Sequence, residues 1–91
     1  MTNVPAAPQP KPGPFARAVS DEIRLAMTRH RVSGSQVATM TGRSQSYISK
    51  RLRNEAAFTA NDCEDICRVL REDLLELLTR AVQESRRRRQ P

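Results

Sequence analysis

Three residues at fixed intervals constrain the fold of this chain more than anything else in it: Ala38, Gly42 four positions later, and Ile48 six further on. The segment on each side of Gly42 reads as a short helix. Ser33 and Gln36 have the reciprocal spacing of a capping box, so one helix is expected to open there, with Val37, Ala38 and Met40 on its apolar side. Gly42 is expected to end it, because a helix C-terminus often turns through positive φ, which glycine adopts without strain. Ser44 is the next candidate N-cap. In the segment Ser44–Arg53 only Ile48 and Leu52 are aliphatic. Two inward anchors put that helix on a core rather than inside one. A tight turn between two helices needs a small residue where they approach, which is Ala38, and an aliphatic one that packs the second back onto the first, which is Ile48.

The rest of the chain supplies the core. At 91 residues one domain is expected. Phe15, Ala18, Val19, Ile23, Ala26 and Met27 recur at helical spacing and predict a first helix from Pro14–Phe15 to about His30. Asn54–Phe58 reads as a loop. Thr59 caps a fourth helix with Asp62 at the capping-box position, and Cys63, Ile66, Cys67 and Leu70 form its apolar face. A fifth helix starts near Asp73, carries Leu74, Leu75, Leu77, Leu78, Ala81 and Val82, and is expected to fray into Arg86–Arg89. No strand-like alternation occurs. The expected fold is therefore all-α and compact, with five helices over residues 15–85, a disordered Pro-rich arm over 1–14, and a basic tail over 86–91.

Charge points to the partner. The 32 residues from Ile23 to Asn54 carry seven basic side chains and no Asp or Glu, whereas Glu55–Glu84 carries eight acidic and three basic ones. A solvated surface usually mixes signs, so the first stretch is expected to meet a polyanion. On a helical wheel Ile48 and Leu52 fall together, and Lys50 lies about 160–200° away from them. Ser46, Lys50, Arg53 and Tyr47 make up the expected exposed face, with Gln45 and Ser49 on one flank. Gln suits adenine, Lys suits the acceptors of guanine, and Ser is permissive.

The spacing Ala38–Gly42–Ile48, and the five-helix order around it, resemble the phage repressor/Cro-like (XRE-type) helix-turn-helix family. The resemblance extends over roughly Phe15–Ser85, although Arg71 follows Leu70 where family members commonly carry Gly. It implies a compact, lambda-repressor-like helix-turn-helix domain with Ser44–Arg53 as its recognition helix, reading double-stranded operator DNA in the major groove. The positions matching the family's base-reading residues are Gln45, Ser46, Ser49 and Lys50. Ser35, Arg43, Ser44, Tyr47, Arg51, Arg53 and Asn54 border them and suit phosphate or flanking contacts.

Other chemistry has little to stand on. Cys63 and Cys67 share the apolar stripe of the fourth helix and are expected to pack there. His30 is the sole histidine, so no zinc set is apparent and no metal or cofactor is expected. With no phosphate-binding glycine loop and no nucleophile beside a base, the chain is not expected to be an enzyme. No apolar run is long enough to span a membrane, and the cytoplasm of a bacterial or phage-infected cell, at the nucleoid, is the expected location. The leucines of helix five exceed the needs of one face, which suggests a homodimer through Leu74, Leu77, Leu78 and Ala81. The leading function is a transcriptional repressor. The rivals are an antitoxin-like module that binds a partner protein and its own operator, and a non-specific architectural DNA-binding protein.

Overall fold

The computed structural model describes residues 10–89. Five helices follow one another: α1 (Pro14–His30), α2 (Gly34–Thr41), α3 (Gln45–Leu52), α4 (Ala60–Leu70) and α5 (Leu74–Arg89). There is no strand among the described residues. Of the expected arm, residues 1–9 lie outside the described range; Pro12 is buried and Pro14 opens α1.

The ends of the helices follow from side-chain chemistry. The Ser33 hydroxyl accepts the Gln36 amide at 3.1 Å, and the Gln36 side chain accepts the Ser33 amide at 2.7 Å. Thr59 and Asp62 repeat this box at α4, at 3.1 and 2.9 Å. The Ser44 hydroxyl accepts the Tyr47 amide, and the Asp73 carboxylate accepts that of Glu76. These bonds satisfy donors that a helix start leaves orphaned.

The C-termini of α1, α2 and α4 all close through one left-handed residue: Arg31 at φ 53°, Gly42 at φ 68° and Arg71 at φ 57°. At Arg71 the next amide, of Glu72, reaches back to the Cys67 carbonyl at 2.8 Å. Glycine takes this conformation freely, whereas a residue with a Cβ is strained there. Arg71→Gly should therefore stabilise the domain by roughly 0.5–1 kcal/mol, the relief of that strain less the entropy glycine loses on folding. A melting temperature raised by a few degrees checks it.

The core is aliphatic, centred on Ala18, Ile23, Val37, Ile48, Ile66, Leu77 and Ala81. α1 packs most extensively against α5, and α2 lies against α3 and α4. Cys63 and Cys67 are buried in this core, as their stripe predicted. Burial, with the neighbouring Cys67, pushes the Cys63 thiol up to about 11, so it stays protonated at neutral pH.

Three expectations change. Met40 is exposed, leaving Val37 and Ala38 as the buried residues of α2. α5 does not fray at the arginines but remains helical to Arg89, with Glu84 pairing with Arg87 and Arg88, and Arg88 also reaching Asp21 of α1. The stripe offered for dimerisation divides: Leu77 and Ala81 are fully buried against the domain's own core, and Leu74 and Leu78 are half-buried. The latter two line an open apolar groove of about 410 Å³ with Phe15, Val19, Phe58 and Cys63. No helix of the described residues is long and apolar enough to cross a membrane.

Candidate nucleic-acid interface

An eight-residue helix such as α3 would be marginal alone in water, so neighbours must hold it. Ile48, fully buried, anchors its middle, and Leu52 packs beside the core. α1 clamps its last turn. The Ser20 hydroxyl, itself buried, donates to the Arg51 carbonyl at 3.0 Å, and the Arg24 guanidinium donates to the Leu52 carbonyl. Side chains of another helix thus bond two carbonyls at the end of α3, where regular helical donors run out; the Arg51 carbonyl also accepts the Asn54 amide at 3.1 Å.

With one side sealed, the opposite side carries polar groups. Gln45, Ser46, Lys50 and Arg53 are exposed and Ser49 is half-buried. Gln45, Ser46, Ser49 and Arg53 line a shallow, open depression of about 400 Å³. The Arg53 guanidinium donates to the Ser49 hydroxyl at 3.1 Å and pairs with Glu55 at 2.6 Å, so its head is steered along the rim. Lys50 has no ion-pair partner among the described residues. Ser44 is exposed with its hydroxyl engaged as the N-cap, and Ser35 is exposed in the first turn of α2. Asn54 closes the C-terminal turn in a left-handed conformation, φ 61°, and its side-chain oxygen is buried without a protein partner.

Tyr47, which the wheel put on the exposed face, and Arg43 and Arg51, expected along its border, are placed differently. All three turn inward onto α4, where Asp62 lies only 1 % exposed. Arg43 donates from Nε to Asp62 Oδ1 at 2.7 Å, from Nη1 to the Thr41 carbonyl at 3.0 Å, and from Nη2 to Asp65 Oδ2 at 2.9 Å. The Tyr47 hydroxyl donates to Asp62 Oδ2 at 2.8 Å. The Arg51 guanidinium stacks on the Tyr47 ring, 3.4 Å from its centroid, and donates to the Tyr47 carbonyl at 3.1 Å. Its buried Nε faces Asp62 Oδ2 at 3.8 Å and has no hydrogen-bond partner.

Burial opposes the charge on Asp62, but the Thr59 amide, the Tyr47 hydroxyl and the Arg43 guanidinium outweigh it and hold the carboxyl below the usual carboxylate range. Burial, with the bond to Asp62, raises the Tyr47 hydroxyl. Asp62 was legible only as a cap; its tie to the flank of α3 had no signal in the sequence beyond an acidic residue at a buried position.

Folding also changes what the charge count means. Arg29 pairs with Glu72, Arg43 with Asp62 and Asp65, and Arg53 with Glu55, while Arg51 lies against Asp62. Much of the carboxylate-free stretch is therefore neutralised by acids from the following section.

No sequence-family model and no curated protein sequence matches the chain. Solved structures do match it. The clp gene regulator ClgR from Corynebacterium glutamicum superposes with a TM-score of 0.74 at 18% identity, covering 87% of this chain and 83% of that one. A second structure of the same regulator gives 0.71 over 84% and 96%, again at 18% identity. A point mutant of the restriction-modification controller protein C.Esp1396I gives 0.69 at 21% identity, over 78% of this chain and 95% of its own. With its two short helices hinged at Gly42, the chain has the five-helix, helix-turn-helix fold of these regulators.

Proposed function

We propose that the chain is a sequence-specific DNA-binding transcriptional regulator that reads the major groove with α3. One observation carries this reading. α3 is pinned to the core by Ile48, and its outer surface offers Gln45, Ser46, Ser49 and Lys50 with no carboxylate of its own. Such a face suits base edges: the amide of Gln45 and the ammonium of Lys50 match adenine and guanine, and the serines accept either partner. The matching structures, a clp gene regulator and a restriction-modification controller, are regulators and support the same reading. By occupying an operator the protein would exclude polymerase, which makes it a repressor. Ser35, Ser44, Arg53 and Asn54 border the reading face and are assigned to the phosphates, together with the free amides at the starts of α2 and α3. Arg43, Tyr47 and Arg51 hold the frame. A twofold dimer over the groove lined by Phe15, Phe58, Leu74 and Leu78 would present two α3 helices about 34 Å apart.

Selection from a random duplex library tests the reading. A regulator enriches a defined sequence, and an architectural protein enriches none. On the enriched duplex, Lys50→Ala should lose about 1–3 kcal/mol of binding and relax preference at one base pair. Equal losses on every duplex would assign Lys50 to phosphate instead.

A further inference from the structure

Resting on that reading, we infer that Asp62 is a positioning residue that limits phosphate attraction: from inside the domain it holds Arg43 and Arg51 against α4, and so withholds two cations beside α3 from sequence-blind binding. Asp62 is 1 % exposed and belongs to α4, so it touches no DNA itself. The two arginines it holds flank the reading helix. Arg43 directly precedes Ser44, the N-cap of α3, and Arg51 lies in its last turn. Each of the three Arg43 nitrogens is engaged by an oxygen of the protein, two of them from carboxylates. Its charge is cancelled locally and its donors are aimed inward, and it is only 18 % exposed. Arg51 is 11 % exposed, fixed between the Tyr47 ring and Asp62.

Capping alone does not explain this arrangement. The cap of α4 uses Oδ2, which accepts the Thr59 amide. Oδ1 turns the other way, to Arg43, and the Tyr47 hydroxyl shares Oδ2 from the α3 side. The consequence follows from how DNA binding divides. Non-specific affinity comes from neutralised phosphates, and selectivity is the ratio of specific to non-specific affinity. A free arginine beside α3 would raise the affinity for every duplex alike, leaving that ratio unchanged but making binding to random DNA tighter and more salt-dependent. Held by Asp62, the same arginine fixes the pose of α3 without adding to the background.

The test compares wild type with Asp62→Asn and Asp65→Asn on two duplexes, the sequence enriched by the wild type and a random one, over a range of salt. Asn at 62 keeps an oxygen for the Thr59 amide and removes the charge. Asp65 stands outside the capping box and is partly exposed, so its variant removes one of the two carboxylates that hold Arg43 while leaving the core intact. Circular dichroism establishes that each variant is folded. The expected result for Asp62→Asn is random-duplex affinity raised about three- to tenfold, with the slope of log K against log salt steeper by about one unit, and for Asp65→Asn a smaller change in the same direction. The enriched duplex gains by the same factor, so the ratio of the two affinities stays as in the wild type. Adding Arg43→Gln to Asp65→Asn should return the random-duplex affinity to the wild-type value, a rescue that a purely structural role would not produce. Folded variants that bind random duplex as the wild type does, with unchanged slope, overturn this inference alone. A wild-type chain that enriches no sequence overturns the proposed function and this inference with it.

Discussion

Asp62→Ala should lower the stability of the domain by about 3–5 kcal/mol, the loss expected when one partner of a buried ionic cluster is removed. The alanine leaves the Arg43 and Arg51 guanidiniums and the Tyr47 hydroxyl facing a cavity, and it takes the reciprocal half of the capping box from α4. A small domain has roughly 5–15 kcal/mol in all, so the variant should melt at least about 12 °C below wild type or be largely unfolded at room temperature. Denaturant unfolding checks the magnitude. A loss under about 1 kcal/mol would mean that water takes the place of the carboxylate and that the cluster is a surface feature.

The same residue sets part of the acid limit. Its folded-state carboxyl is held below the value of the unfolded chain. Its contribution is therefore complete above about pH 4 and lost as pH falls through the folded-state value. Asp65, held down chiefly by its hydrogen bond from Arg43, and Glu72, held down by His30 and Arg29, lose theirs in the same direction.

Leu77→Ala should cost about 2–5 kcal/mol, the range for emptying a fully packed leucine site. Leu75→Ala, on the outer side of the same helix and 74 % exposed, should stay within about 0.5 kcal/mol. The pair separates two assignments of the α5 leucines. If Leu77 lies in the core, its loss destabilises the protein equally at low and high concentration. If Leu77 joined two copies, the loss would vanish at dilutions where the wild type is a monomer.

The helix boundaries were legible because they are local chemistry. Ser33, Ser44 and Thr59 act within four residues of themselves, and the wheel correctly sealed Ile48 and left Lys50 outside. What the wheel could not carry was the position of α4. Tyr47 stands well away from Ile48 and Leu52 around the helix, which looks like open surface until α4 covers that flank. Charge counting had the same limit. It separated a basic stretch from an acidic one, yet the two sections fold against each other, and Arg43 meets Asp62 across nineteen residues of chain. Helix five was legible in part: periodicity identifies a wide apolar stripe but does not separate Leu77 and Ala81, which meet the domain's own core, from Leu74 and Leu78, which line an open groove. The same helix, expected to fray into the arginine run, continues to Arg89, with Arg87 and Arg88 paired to Glu84 and Arg88 also to Asp21.

The clamp that α1 places on the last turn of α3 bears on the thermodynamics of recognition. Ser20 and Arg24 bond the end of a helix too short to persist by itself, while Ile48 and the Asp62 cluster hold its inner side and one flank. The conformational entropy of ordering those eight residues is thus lost during folding, not during association. Under the proposed function, α3 would reach the groove as a rigid probe. A wrong sequence would then meet a helix that does not relax to accommodate its mismatched hydrogen bonds.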